Sequence, residues 1–357
     1  MEATSSRTSG SGKRQTLARW FHASGLLPGL QRLRGVLRRD LRILAYHRVV
    51  DVPDPACFGF DLAVVSASPD QFHRQMDLLR RRFNPVRFQD LITALDGGPP
   101  LPRDPVIVTF DDGYDDNYHV AFPILRALGV PATFFVSTGH IDSGLPYAYD
   151  WLVHMVCFTP AERIVLAPLG LDRALPASLP ERRAFAEALL DRLKAFDDAV
   201  QADLIATLES AWQMPRAPQR DCRPMTWPQL RQMQEAGMEI GSHGVHHRML
   251  AKLPEAAMEE EVAASKQRLD RELPRPVDVL SYPVGGPDAY DARVIAAVAR
   301  HGYRIACSYV SGTNPLAAPP RHALRRLPVE REMQAPWFSA MVTWPEVFGY
   351  PSRLRLG

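Results

Sequence analysis

The sequence predicts an α/β protein, a distorted (β/α) barrel carrying a helical insertion, on three observations. Residues 106–110, a following helical pattern and residues 132–136 make a strand–helix–strand unit, which implies a parallel sheet. That alternation stops near residue 150 and resumes near residue 225. At least six such strands recur, counting the one that ends at His47.

Composition narrows the class. A chain of 357 residues with 46% hydrophobic and 23% charged residues is an ordinary globular protein with a large core, and its 32 prolines fit many short connections. A net charge of +2 argues against a nucleic-acid binder, but the charge is uneven: about +7 up to Arg42 and about −5 beyond it. Cys57, Cys157, Cys222 and Cys307 form no C-x-x-C pair, which fits a reducing compartment and suggests neither a zinc knuckle nor a disulfide framework. With no signal-type apolar run and no stretch of bilayer length, a cytoplasmic protein is expected.

In chain order, residues 1–16 are expected to be a disordered tail, rich in Ser, Thr and Gly. Residues 17–41 read as a basic amphipathic helix: Leu27, Leu30, Leu33 and Leu37 recur at helical spacing among Arg32, Arg34, Arg38 and Arg39, with Pro28 at its start. Trp20 and Phe21 would anchor it as a peripheral contact on the inner membrane face; the alternative is packing on the catalytic domain. Residues 42–50 are a strand that carries His47. Ser68-Pro69-Asp70-Gln71 is a capping box, followed by an apolar stripe of Phe72, Met76, Leu79 and Phe83.

Residues 88–95 form a short helix, and Gly97-Gly98-Pro99-Pro100 breaks the chain before strand 106–110. The helix after Asp112 turns Phe122, Leu125 and Leu128 inward and ends at Gly129. Residues 150–224 lack the alternation and read as the helical insertion. Thr226-Trp227-Pro228-Gln229 then caps a helix ending at Gly237. Strand 238–240, helix 254–273, strand 277–282, helix 290–301 and strand 303–309 follow. The catalytic domain is thus 42–149 plus 225–330, with a C-terminal extension over 331–357.

Strand 106–110 runs directly into Asp111 and Asp112. Adjacent carboxylates repel and must be hydrated, protonated or paired with a cation, so a metal or proton-transfer role is the natural reading; a solvated Asp112-Gly113 turn is the plainer one. Asp111 and His47 both lie at C-terminal strand ends, where α/β barrels and open sheets carry their chemistry. His243 and His247 stand at i and i+4 and converge on one metal if the segment turns helically, although His246 competes as the second imidazole. With Asp112 they complete a His₂Asp set that leaves a position for water, beside which Asp111 would take a proton. Hydrolysis is the expected reaction.

Thr109-Phe110-Asp111-Asp112-Gly113-Tyr114, Ser242-His243-Gly244-Val245-His246-His247 and Tyr282-Pro283-Val284-Gly285 resemble, in that order, the three central motifs of the polysaccharide deacetylase family, the NodB-homology domain of carbohydrate esterase family 4. The resemblance implies a barrel of that type and a divalent metal, Zn²⁺ first among candidates. It implies removal of the N-acetyl group from N-acetylhexosamines of a polysaccharide or lipid-linked glycan. Another amide-bearing sugar, or a non-catalytic glycan-binding role, is the alternative.

By the same resemblance Asp111 is the general base, and Asp112, His243 and His247 bind the metal. Tyr282, Pro283 and Tyr114 border the substrate, and the Val284 N–H faces the oxyanion. Tyr46-His47-Arg48-Val49 resembles the N-terminal Y-H motif of exopolysaccharide-type members, in which the barrel is circularly permuted and this histidine is the general acid. His322 is the fallback, because Arg321-His322-Ala323-Leu324 matches the usual late motif poorly. The third motif departs from the pattern: Asp278 stands where an arginine usually pairs with the base, and Leu280 replaces an aromatic. Arg48, Arg248 or Arg326 would have to take that arginine's place.

Overall fold

The computed structural model describes residues 5–193 and 196–349. Seven parallel strands close into a ring: β1 (Asp40–Tyr46), β2 (Pro105–Phe110), β3 (Thr133–Val136), β4 (Glu239–Ser242), β5 (Val279–Ser281), β6 (Ile305–Ser311) and β7 (Leu324–Pro328). The ring shuts where β1 pairs with β7 at Leu44↔Leu327 and with β2 from Arg42↔Val106 to Tyr46↔Phe110. The barrel predicted from the alternation is therefore present.

Side chains alternate across each strand, and that period sorts β2 into two sets. Val106, Val108 and Phe110 pack outward with Leu44, Tyr46, Phe134 and Leu280 under the surrounding helices. Ile107 belongs to the second set, which with Ile43, Phe135, Val279, Ile305 and Leu324 fills the barrel interior. The helix Phe88–Leu95 closes the base with Phe88, Leu91 and Ile92. Continuing the inward row upward, Thr109, Asp111, Ser281 and Arg326 form a buried polar layer at the C-terminal mouth.

Local signals hold where they are strong. The Ser68/Gln71 box caps the helix α3 (Pro69–Arg82), and the Thr226/Gln229 box caps the helix Trp227–Glu235, each worth about 1 kcal/mol. Gly129 closes the helix Phe122–Leu128 at φ 66°.

Four features differ from the sequence reading. In place of a tail to residue 16 and one helix over 17–41, there are two helices, α1 (Ser5–Ala23) and α2 (Leu27–Leu37), parted at Gly25 with φ 68°. Residues 1–4 lie outside the described residues. Leu27, Gln31 and Arg34 of α2 are buried, Gln31 donates to the Arg82 carbonyl at 2.7 Å, and Arg34 binds Asp40 and Glu346. So α2 packs on the barrel with one face while keeping another exposed.

The insertion contains a hairpin, Arg163–Leu166 with Leu171–Ala174, beside its helices Ala148–Phe158, Leu179–Leu193 and Asp198–Ala211. Each hairpin strand is only four residues, too short to register as a period. The insertion has its own core around Trp151, Leu189, Leu208 and Trp212. Strand β7 is absent from the sequence reading because Arg325 and Arg326 interrupt its apolar run. Finally, residues 331–349 are no appendage: the helix Ala335–Thr343 buries Trp337, Phe338, Met341 and Val342 and contributes to the main core. Residues 350–357 lie outside the described residues.

Candidate metal centre and active site

Asp112 and the two histidines come together because β2 and β4, which flank β3, end at one mouth. Asp112 follows β2 in a left-handed conformation, φ 75°, and Gly113 continues it at φ 74°. A Cβ at Gly113 would meet Val136 Cγ1 at 2.8 Å, so the turn closes tightly over β3. His243 follows β4, with its N–H bonded to the Val136 carbonyl. His247 arrives through a loop rather than the helical turn expected from i, i+4 spacing; Gly244 at φ 76° and His247 at φ 59° bend it. Buried Glu261 holds that loop by accepting from Val245 N at 2.8 Å and His246 N at 3.0 Å.

His246 and His247 point in different directions. His246 points outward with its side chain 66% exposed and pairs with Glu261, whereas His247 Nε2 lies 3.3 Å from Asp112 Oδ1 and His243 Nε2 lies 3.4 Å from the same oxygen. Ligand atoms of Asp112, His243 and His247 all lie within 4.8 Å of one another. His243 Nδ1 is 2.7 Å from the Ser281 carbonyl, an acceptor that fixes the proton on Nδ1 and leaves the Nε2 lone pair for a cation. Asp112 Oδ1 is buried with no hydrogen-bond partner. A buried unpaired carboxylate oxygen facing two imidazole lone pairs is costly unless a cation joins them, so these residues fit a metal.

Asp111 lies beside this group and is held from across the barrel. Arg326 of β7 donates from both terminal nitrogens to the two Asp111 oxygens, each at 2.7 Å. Its remaining donors go to the Ser308 carbonyl at 2.8 Å, Ser281 Oγ at 2.9 Å and Thr109 Oγ1 at 3.2 Å. Of the three arginines considered from sequence, Arg326 binds Asp111, whereas Arg48 binds Asp116. Burial pushes the Asp111 pKa up, but the Arg326 guanidinium and His243 outweigh it and hold the carboxyl below its ordinary value.

His47 is placed by register. Tyr46 lies opposite Phe110, and the Asp111 N–H donates to the Tyr46 carbonyl at 2.9 Å, so the residue after each strand faces the same opening. His322 is elsewhere: its Nε2 is 2.9 Å from the Tyr303 carbonyl, ahead of the first residue of β6. Val284 is half exposed at φ 63°, and Gly285 is required beside it because a Cβ there would lie 2.7 Å from Tyr309 Cβ. Three non-glycine residues of this mouth, Asp112, His247 and Val284, thus sit in left-handed backbone, a strain of roughly 1–3 kcal/mol each.

Two expected substrate neighbours lie behind the mouth. Tyr114 is fully buried and donates to Asp150 Oδ2 at 2.6 Å. Tyr282 is also fully buried, stacks on Tyr290 and donates to the His322 carbonyl. The segment leading into the insertion brings two other tyrosines to Asp112: the Tyr147 hydroxyl donates to its carbonyl at 2.6 Å, and the Tyr149 hydroxyl lies 3.1 Å from its Oδ2. Sequence reasoning passed over both. The aromatic cluster Tyr147-Ala148-Tyr149-Asp150-Trp151 was the available signal, but nothing local ties it to a carboxylate about 35 positions earlier.

Comparison with known proteins agrees with this arrangement. A family model described as polysaccharide deacetylase matches residues 98–306. A poly-β-1,6-N-acetyl-D-glucosamine N-deacetylase of Escherichia coli K12 is 37% identical over 101 residues, which are 28% of this chain and only 14% of that protein. Among solved structures, the Streptococcus pyogenes deacetylase PplD in complex with acetate aligns with a TM-score of 0.57 at 19% identity, over 86% of this chain and all of the other. IcaB from Ammonifex degensii aligns at 0.52 and 19% identity, over 86% and 97%. Identities this low attest the fold alone. The family match, however, spans more than half of the sequence and includes the Asp-Asp turn, both histidines and the Val284 turn, and on that ground the chain belongs to the polysaccharide deacetylase family.

Proposed function

We propose that this protein is a metal-dependent hydrolase that removes the N-acetyl group from N-acetylhexosamine residues of a glycan. The observation that carries the reading is the convergence of an unpaired, buried Asp112 Oδ1 with His243 and His247 beside an arginine-held Asp111. Asp112, His243 and His247 would hold a divalent metal, Zn²⁺ by the nitrogen-rich donor set, and when bound it would polarise the amide carbonyl and acidify the attacking water. Asp111, fixed by both Arg326 nitrogens, accepts the proton of that water. The Val284 N–H, which donates to no acceptor among the described residues, faces the developing oxyanion. His47 protonates the leaving nitrogen, so the amine and acetate separate.

The Escherichia coli relative's named substrate makes a β-1,6-linked N-acetylglucosamine polymer the first glycan to try. The four cysteines are free, in keeping with the cytoplasmic location expected from sequence, and the basic segment 17–41 is assigned a peripheral membrane contact. No helix among the described residues is long and apolar enough to cross a membrane.

The test combines metal content with amine release from N-acetylglucosamine oligomers, with and without chelator. Asp111→Asn is expected to abolish turnover and keep the metal, while His243→Ala loses both. His47→Ala is expected to keep the metal and slow turnover by about 10²–10⁴-fold. Equal metal loss in Asp111→Asn and His243→Ala would reverse the assigned roles.

A further inference from the structure

The exposed apolar surface is concentrated in one place. Of the eleven large hydrophobic side chains exposed among the described residues, six fall between Leu17 and Leu37: Leu17, Trp20, Leu26, Leu33, Val36 and Leu37. On α2 these are not scattered. At 3.6 residues per turn Leu26, Leu33, Val36 and Leu37 share an arc of about 100°, opposite the buried Leu27, Gln31 and Arg34. Val36 and Leu37 are each 73% exposed. On α1, Phe21 packs edge-on against Phe348 and leaves its neighbour Trp20 outside, 58% exposed.

Charge within the α1–α2 segment has one sign. Residues 5–39 contain eight Lys or Arg and no Asp or Glu. The nearest carboxylates are already engaged, Asp40 and Glu346 by Arg34 and Asp104 by Arg42 at 3.6 Å. Against the end of α2 lies a cavity of about 270 Å³, large enough for a phosphate group and bordered by Arg38, Arg39 and Arg103 together with Asp40 and Asp104, whose charges Arg34 and Arg42 meet. An apolar stripe of modest width flanked by arginines is the composition that settles into the headgroup region of an anionic bilayer.

Its position in the barrel gives the docking a direction. Arg34 binds Asp40, the first residue of β1, and the cavity also touches Pro105, the first residue of β2. His47 and Asp111 follow the last residues of the same two strands. The length of β1, at 3.3 Å per residue roughly 20 Å, therefore separates the stripe from the catalytic mouth.

We propose that α1, α2 and the Arg38–Arg39–Arg103 cavity dock the protein on an anionic lipid bilayer with the catalytic mouth opening away from it. This rests on the membrane contact proposed above and not on the hydrolytic chemistry. It also narrows the substrate to a glycan reaching the mouth from the aqueous side, which a long or released polymer can do and a sugar held next to the headgroups cannot.

The experiment uses the full chain and vesicles of phosphatidylcholine with and without phosphatidylglycerol. Co-sedimentation is expected only with phosphatidylglycerol, weakening as salt rises. The triple variants Leu33→Ser/Val36→Ser/Leu37→Ser and Arg38→Glu/Arg39→Glu/Arg103→Glu should each bind at least about tenfold more weakly while hydrolysing soluble oligomers at the parental rate. For direction, a dye is placed at Val36→Cys or at Val284→Cys in a Cys57→Ser background. Brominated lipid chains should quench the first and spare the second.

Equal binding to both vesicles, unchanged binding of the variants, or quenching at position 284 would overturn the proposal. So would a solution dimer that the Leu33/Val36/Leu37 variant dissolves, since the stripe would then face a second copy of the chain. A protein that binds vesicles as described yet hydrolyses no glycan would fail the enzymatic reading alone.

Discussion

Arg326 shows how one side chain can decide a site. Its guanidinium and the Asp111 carboxylate are both buried, and every bond it makes is to a group inside the barrel. Removing one partner of such a pair strands the other charge, so Arg326→Met is expected to cost about 3–5 kcal/mol in denaturant unfolding and to abolish turnover. Arg326→Lys should recover little of either, because an ammonium cannot offer the two parallel bonds that hold Asp111. Tyr149 acts on the neighbouring carboxylate: by donating to Asp112 Oδ2 it leaves Oδ1 open to the proposed cation. Tyr149→Phe is expected to weaken metal affinity about 10–100-fold in competition with a chromogenic chelator; unchanged affinity would remove the tyrosine from this role.

At the scale of elements, α2 is tied to the barrel by Arg34 between Asp40 and Glu346. Burial raises the pKa of both carboxyls, but hydrogen bonds and charge from Arg34 more than offset it, and both lie below their ordinary values. A depressed carboxyl stabilises the folded state fully above its unfolded pKa, about 4, and loses that contribution as pH falls through the folded value. Limited proteolysis should therefore find the α1–α2 segment protected at neutral pH and released only below about pH 4. Asp40→Asn should release it at neutral pH; protection unchanged in that variant would mean the ion pairs do not hold the segment.

Elements with strong local signals were legible in the sequence. Capping boxes at Ser68 and Thr226 and the strand into Asp111 need only neighbours within a turn or two. Strand β7 was not legible, since its Arg326 is a lumen residue that only an acid on a distant strand makes compatible with burial. The same reasoning applies to the site: the three candidate ligands and the two proton-transfer candidates lie in short motifs, whereas Tyr147, Tyr149 and the arginine partner of Asp111 depend on closure of the fold.

For the whole molecule, metal and fold should be linked. A cation that binds the assembled Asp112–His243–His247 group and not the unfolded chain stabilises by about 2.7 kcal/mol at a hundredfold excess over its Kd. Chelator should accordingly lower the Tm and Zn²⁺ restore it, with the shift absent in His243→Ala; an equal shift in that variant would place the bound metal elsewhere. The segment entering the insertion, which has a separate core, meets the barrel at Asp112 through Tyr147 and Tyr149.

The pairing of β1 with β2 has one more consequence. His47 and Asp111 are each the first residue beyond neighbouring strands joined over five residue pairs. The spacing of the proposed proton donor and proton acceptor is thus written into a backbone ladder and not into a loop. Heating or loop substitutions that loosen the mouth should change how readily a glycan enters well before they change the distance between His47 and Asp111.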